Sequence, residues 1–113
     1  MTSAEAIESA VNTVMALLVE RRYAEIERIT GGIRMNAGDL GNIVSEYGIE
    51  IVMPPEGRYR ELDVISVSLA GMPTFSVVTD VWTKIDGKSD VSIEMTVKID
   101  GEDVIVEIDK TAR

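Results

Sequence analysis

The stretch Lys84-Ile85-Asp86-Gly87-Lys88-Ser89-Asp90-Val91-Ser92-Ile93-Glu94-Met95-Thr96-Val97-Lys98-Ile99-Asp100-Gly101 decides the fold. It opens and closes on the same tetrapeptide, Lys-Ile-Asp-Gly. Between the two copies Val91, Ile93, Met95, Val97 and Ile99 alternate with Ser92, Glu94, Thr96 and Lys98. Asp-Gly between alternating runs is the strongest short-range hairpin signal. Strict alternation marks a strand with one face buried. The stretch therefore reads as a central strand held between two hairpin turns. Residues 74–83 supply the strand before it and residues 103–109 the strand after it. Residues 62–69, with Ile65, Val67 and Leu69 on one face, add another, joined through the turn Gly71-Met72-Pro73. The second half of the chain is thus an antiparallel four-strand meander.

A two-residue loop at Asp100-Gly101 sets the register of the last hairpin. It pairs Val97 with Val104, Met95 with Val106 and Ile93 with Ile108, all on one face. It also sets Lys98 opposite Asp103 and Glu94 opposite Glu107. The same loop at Asp86-Gly87 pairs Trp82 with Val91, Asp80 with Ile93, Val78 with Met95 and Ser76 with Val97, which turns Asp80 and Trp82 inward. A one-residue slip or a bulge puts Phe75, Val77, Thr79 and Val81 inside instead. A buried unpaired carboxylate is costly, so the slipped register is preferred. The direction of Asp80 stays open.

The first half reads as helical. Thr2 as N-cap places Glu5 at N3, a capping box. Ile7, Val11, Val14, Met15 and Leu18 then share one face, widened by Ala6, Ala10 and Leu17. The helix ends at Glu20-Arg21-Arg22, where cations suit the negative helix terminus. Residues 23–29 form a short helix with Tyr23, Ile26 and Ile29 on one side, stopped by Gly31-Gly32. Ile33-Arg34-Met35 alternates like a small strand. Asn36 caps a third helix with Asp39 at N3, Leu40, Ile43, Val44 and Tyr47 as its apolar face and Gly48 at its end. Ile49-Glu50-Ile51-Val52-Met53 runs extended to Pro54-Pro55, followed by a charged loop over 56–61. The fold class is α+β, with two to three N-terminal helices on a curved antiparallel four-strand meander.

Composition narrows the chemistry. The 113 residues are 45% hydrophobic, enough for the core of a single domain over 1–113. No apolar run approaches the ~18 residues of a membrane helix. The first residues lack a basic stretch followed by an apolar one, so a cytoplasmic location is the default. The chain has no cysteine and no histidine. That removes thiol chemistry, the commonest general base, the commonest metal ligand and the Ser-His-Asp arrangement. No cofactor or metal is expected. Asp100, Glu102 and Asp103 lack the loop length and terminal glutamate of a calcium site. Neither Gly31-Gly32 nor Gly38 with Gly41 fits a phosphate-binding pattern. The net charge of −9 repels phosphate backbones, which argues against nucleic acid, and nothing points to a membrane. It suits a basic protein partner.

The order of long helix, short helix ending Ile29-Thr30-Gly31-Gly32, small strand, third helix and meander resembles the nuclear transport factor-like superfamily, a cystatin-like α+β roll. In that fold the helices pack into the concave face of a curved sheet and leave a cone-shaped pocket. The resemblance covers nearly the whole chain. The segments Asp80-Val81-Trp82-Thr83 and Gly87-Lys88-Ser89-Asp90 also resemble an uncharacterised family of small bacterial domains. The superfamily includes isomerases, dehydratases, polyketide cyclases, transport adaptors and bacterial toxin-immunity proteins. Its enzymes often use Asp, Tyr or His inside the cone, and here histidine is absent.

Two functional expectations follow. The first is a non-catalytic acidic partner-binding domain, of the immunity type that inhibits a basic toxin. Glu94, Asp103, Glu107 and Asp109 on the sheet face would make the contact. Arg58, Tyr59 and Arg60 on the charged loop would add anchors, since Tyr and Arg are enriched at interface hot spots. The second is a pocket for a small apolar ligand, with or without isomerase-like catalysis. Asp80 is the best candidate for an acid/base carboxylate, with Trp82, Tyr47 and Tyr23 lining the cone and a tyrosine as oxyanion donor. A homodimer through the sheet fits either.

Overall fold

A computed structural model of the chain describes residues 2–48, 50–54, 62–67 and 71–112. Three helices, α1 (Ser3–Val19), α2 (Tyr23–Thr30) and α3 (Ala37–Tyr47), precede five strands: β1 (Ile51–Val52), β2 (Asp63–Ser66), β3 (Thr74–Thr83), β4 (Gly87–Asp100) and β5 (Asp103–Ala112). The fold is α+β, with the helices on one face of a curved antiparallel sheet.

α1 starts where its capping box places it. Thr2 Oγ1 accepts from the Glu5 amide at 3.2 Å, and Glu5 Oε1 accepts from the Thr2 amide at 3.1 Å. The face of Ile7, Val11, Val14, Met15 and Leu18 is buried, with Ala6 and Ala10 beside it. Each such aliphatic side chain contributes about 1.5–3 kcal/mol by leaving water. α1 stops in a Schellman motif, in which the Arg21 amide donates to Leu18 O and the Arg22 amide to Leu17 O. Arg21 fills the left-handed position usually given to glycine, with φ 58°. α2 ends at Gly31, φ 77°, and α3 carries a second capping box between Asn36 and Asp39. Ile33-Arg34-Met35 bends instead of forming a strand. Met35 drops into the core and Arg34 turns outward to the sheet.

β4 is the centre of the sheet, with β3 on one side and β5 on the other. The far edge of β3 is shared: β2 pairs along Phe75 to Val78, and β1 along Trp82 and Thr83. Two residues of the extended run after α3 thus join the sheet, so it has five strands, where the sequence suggests four. Leu69 and residues 56–61 lie outside the described residues.

Both hairpin registers differ from a simple Asp-Gly loop. In the last hairpin Asp100 pairs with Asp103, so the loop is Gly101-Glu102. Gly101 has φ 63° at the first central position, where a II′-type turn needs glycine. Val97 then faces Val106 and Met95 faces Ile108, a shift of two residues that keeps every apolar side chain on its face. The shift, with a bulge at Asp109, also corrects the charges. The bulge sets Glu94 against Lys110 in place of Glu107, and Lys98 reaches diagonally to Glu107 in place of Asp103.

In the β3–β4 hairpin Thr83 pairs with Gly87 around a loop of residues 84–86. A bulge between Asp80 and Trp82 changes the register, and beyond it Val77 faces Met95 and Thr79 faces Ile93. Val77, Thr79, Val81 and Thr83 are therefore the buried side of β3, as the slipped register requires. Ser89 patches the bulge: its hydroxyl donates to Val81 O at 2.6 Å and accepts from the Val91 amide at 3.1 Å. The core lies between this face and Val11, Val14, Met15 and Leu18 of α1, Ile26 of α2 and Leu40 of α3.

Candidate functional site

β3 alternates strictly, so burying Val77, Thr79 and Val81 sends Asp80 and Trp82 to the opposite face. Asp80 is turned away from the helices, its side chain 42% exposed, with Lys88 Nζ 3.3 Å from its carboxylate. Of the two directions left open for Asp80 the chain takes the outward one, the one that goes with the slipped register: the bulge lets the sheet keep the charge outside. Trp82 sits on the same outer face, opposite Val52, with its ring over Gly87.

Tyr23 and Tyr47 belong to the helix layer, on the side of the sheet away from Asp80. Tyr47 borders a tight apolar space of about 20 Å³ lined by Leu18, Leu40, Ile51, Val81 and Ile93. Tyr23 packs its ring on Gly41 and lines an open groove of about 400 Å³ with Arg21, Ser45, Gly48 and Glu50. No cone gathers the four predicted pocket residues, because core side chains fill the volume between helices and sheet.

The acidic side chains expected to form a sheet-face contact are mostly already matched. Glu94 pairs with Lys110 at 3.6 Å, and Glu107, 8% exposed, pairs with Lys98 at 3.3 Å. Asp109 is the extra residue of the β5 bulge. It accepts from Thr96 Oγ1 at 2.7 Å and forms an ion pair with Arg34, whose side chain reaches it from the α2–α3 connection. Of the four predicted acids only Asp103 is exposed with no ion pair among the described residues. Arg58, Tyr59 and Arg60 lie outside the described residues.

The matching extends over the molecule. Among the described residues, every lysine and every arginine except Arg21 is in an ion pair with an acid. The surplus of negative charge is therefore left where no described base stands. Part of it stands at one end of the fold, where the first turns of α1 meet the β4–β5 turn. Glu8 and Glu102 line the grooves there, and Asp100 and Asp103 belong to the same turn as Glu102. Of this end the sequence pointed to Asp103 as a contact residue but not to Glu8 or Glu102, because acids were weighed by strand face and not by where the opposing bases fall. A pattern that points to it is the run Asp100, Glu102, Asp103 without a nearby Lys beyond Lys98.

Glu5 also stands at this end, in the capping box of α1. The Thr2 amide, and after it the Thr2 hydroxyl, hold its carboxyl below the ordinary glutamate value. Among the described residues no group of acidic side chains is arranged to hold a metal ion, and no helix is long and apolar enough to cross a membrane.

A family model described as Domain of unknown function (DUF7668) matches residues 15–111. No curated protein and no solved structure matches the chain.

Proposed function

Because the chain belongs to the DUF7668 family, whose description carries no activity, we propose its role from its own geometry: a non-catalytic, acidic partner-binding domain. In this reading it acts in the bacterial cytoplasm as an immunity-type inhibitor that covers a basic toxin. The observation that carries the reading is the filled interior beside an unmatched negative surface. The space beside Tyr47 between helices and sheet is about 20 Å³ and apolar, room for about one water and for no substrate. Asp80 stands outside that interior with Lys88. An isomerase-like mechanism needs a carboxylate and an oxyanion donor around one substrate, and Asp80 and the tyrosines lie on opposite sides of the sheet.

A net charge of −9, left over after the described bases are paired, supports steering toward a positive surface. The order of helices and sheet is compatible with the nuclear transport factor-like superfamily, and membership of that superfamily is part of the proposal.

The test is coexpression and purification with a basic protein encoded beside the gene, followed by stopped-flow association. The association rate should fall about tenfold or more between about 50 and about 500 mM NaCl. An association rate indifferent to salt, or a domain that turns over a small ketone or enol substrate, overturns the reading.

A further inference from the structure

The first turn of α1 stands proud of the sheet and leaves a groove on each side. Toward β2 and β3 the groove is about 310 Å³, floored by Ile7, Leu62 and Phe75 and edged by Ala4, Val64 and Glu8. Toward the β4–β5 turn it is about 330 Å³, lined by Ala6, Ile99 and Val104 and edged by Glu102. Ser3 belongs to both, so the two grooves form one saddle. Its apolar parts face solvent: Val64 is 43% exposed and Val104 38%.

We propose that this saddle is the docking surface for a basic protein segment that seats an apolar side chain in a groove and sets Lys or Arg against the rim. The inference rests on the partner-binding reading and places it. Charge selects the occupant. Glu8, Asp100, Glu102 and Asp103 make no ion pair with any described residue, and the described bases, Arg21 apart, are engaged elsewhere. Arg21 sits at the far end of α1. Among the described residues no lysine or arginine is paired with these acids, so a partner's Lys or Arg is the complementary occupant. An apolar centre with a charged rim is the usual anatomy of an interface. A second copy of this chain would bring acid against acid and is disfavoured.

The experiment titrates the intact protein, labelled with nitrogen-15, with two peptides of equal positive charge, an amphipathic Leu/Lys peptide and oligolysine. The Leu/Lys peptide should shift the amides of Ala4, Glu8, Val64, Phe75 and Gly101 and bind about tenfold more tightly than oligolysine. Glu8→Lys and Glu102→Lys should each weaken it about fivefold or more, while Glu46→Lys, on α3, changes it less than about twofold. Unchanged spectra in the far amides of the variants show that they fold. Equal affinity for both peptides, or shifts centred on another face, overturns the saddle and leaves the acidic partner-binding reading in place. No binding of either peptide at low salt overturns both.

Discussion

Arg21 holds the left-handed C′ position of α1, with φ 58°, and its guanidinium meets no acid among the described residues. A side chain in that region costs on the order of 1 kcal/mol, which glycine avoids at some expense in chain entropy. Arg21→Gly should therefore raise stability by about 0.5–1 kcal/mol, read as a higher urea midpoint at constant slope. An unchanged or lower midpoint would mean that the arginine is favourable there, through the helix dipole. The other residue-scale prediction concerns Glu5. Its carboxyl is held below the ordinary glutamate value by the Thr2 amide first and the Thr2 hydroxyl second. The unfolded chain thus binds the proton more readily. The contribution to stability is complete above the ordinary value and is lost as pH falls through the lower, folded value. A carbon-13 titration of the Glu5 carboxyl should give a midpoint below the ordinary glutamate value; a midpoint at or above that value contradicts the capping box. The box at Thr2 and Glu5 is legible in the sequence because its partners are three residues apart. The Schellman motif at Arg21 is not, because nothing local distinguishes an arginine that continues a helix from one that ends it.

At the scale of elements, the bulge in β4 keeps Asp80 out of the core, and Ser89 completes it. The Ser89 hydroxyl serves both Val81 O and the Val91 amide, two backbone groups that the register shift removes from the ladder. Ser89→Ala leaves them without that partner and should cost about 1–3 kcal/mol. Exchange of the Val91 amide should also accelerate beyond that of Val97. A loss below a few tenths of a kcal/mol would mean that the ladder closes without the hydroxyl. Strand existence and facing were readable here. Alternation in 91–99 fixes which side of β4 is buried, and the preference for a buried Val77 over a buried Asp80 follows from desolvation alone. Register was not readable from the turns. Asp-Gly is compatible with glycine as the second central residue or as the first, and the chain uses the first at Gly101. Cross-strand charge carried the information instead: Glu94 opposite Glu107 was a repulsive pair, and the observed shift together with the bulge at Asp109 replaces it with Glu94–Lys110 and Lys98–Glu107.

For the whole molecule, the net charge of −9 is a sequence property, but its distribution is not. It depends on which acids find bases, and some of those matches are distant, as between Arg34 and Asp109, 75 positions apart. This is why Glu94, Glu107 and Asp109 read as a free acidic face and are instead matched within the fold, while Glu8 and the acids of the β4–β5 turn are left unmatched among the described residues. The described ion pairs are mostly exposed, each worth roughly 0–1 kcal/mol, and salt weakens them. Salt also screens the repulsion among the acids left over, which opposes the compact state. With more unmatched acids than pairs to lose, the second effect should win: the urea midpoint should rise as NaCl is increased from about 50 to about 500 mM. Glu102→Lys separates the two. It removes one repulsive charge at the crowded end and breaks no ion pair among the described residues. It should stabilise the protein by about 0.3–1 kcal/mol at low salt and flatten the salt dependence, while weakening the capture of a basic peptide. A variant that loses stability, or keeps the full salt dependence, would show that the acids at this end do not repel one another, and the electrostatic case for a docking surface there would fall with it.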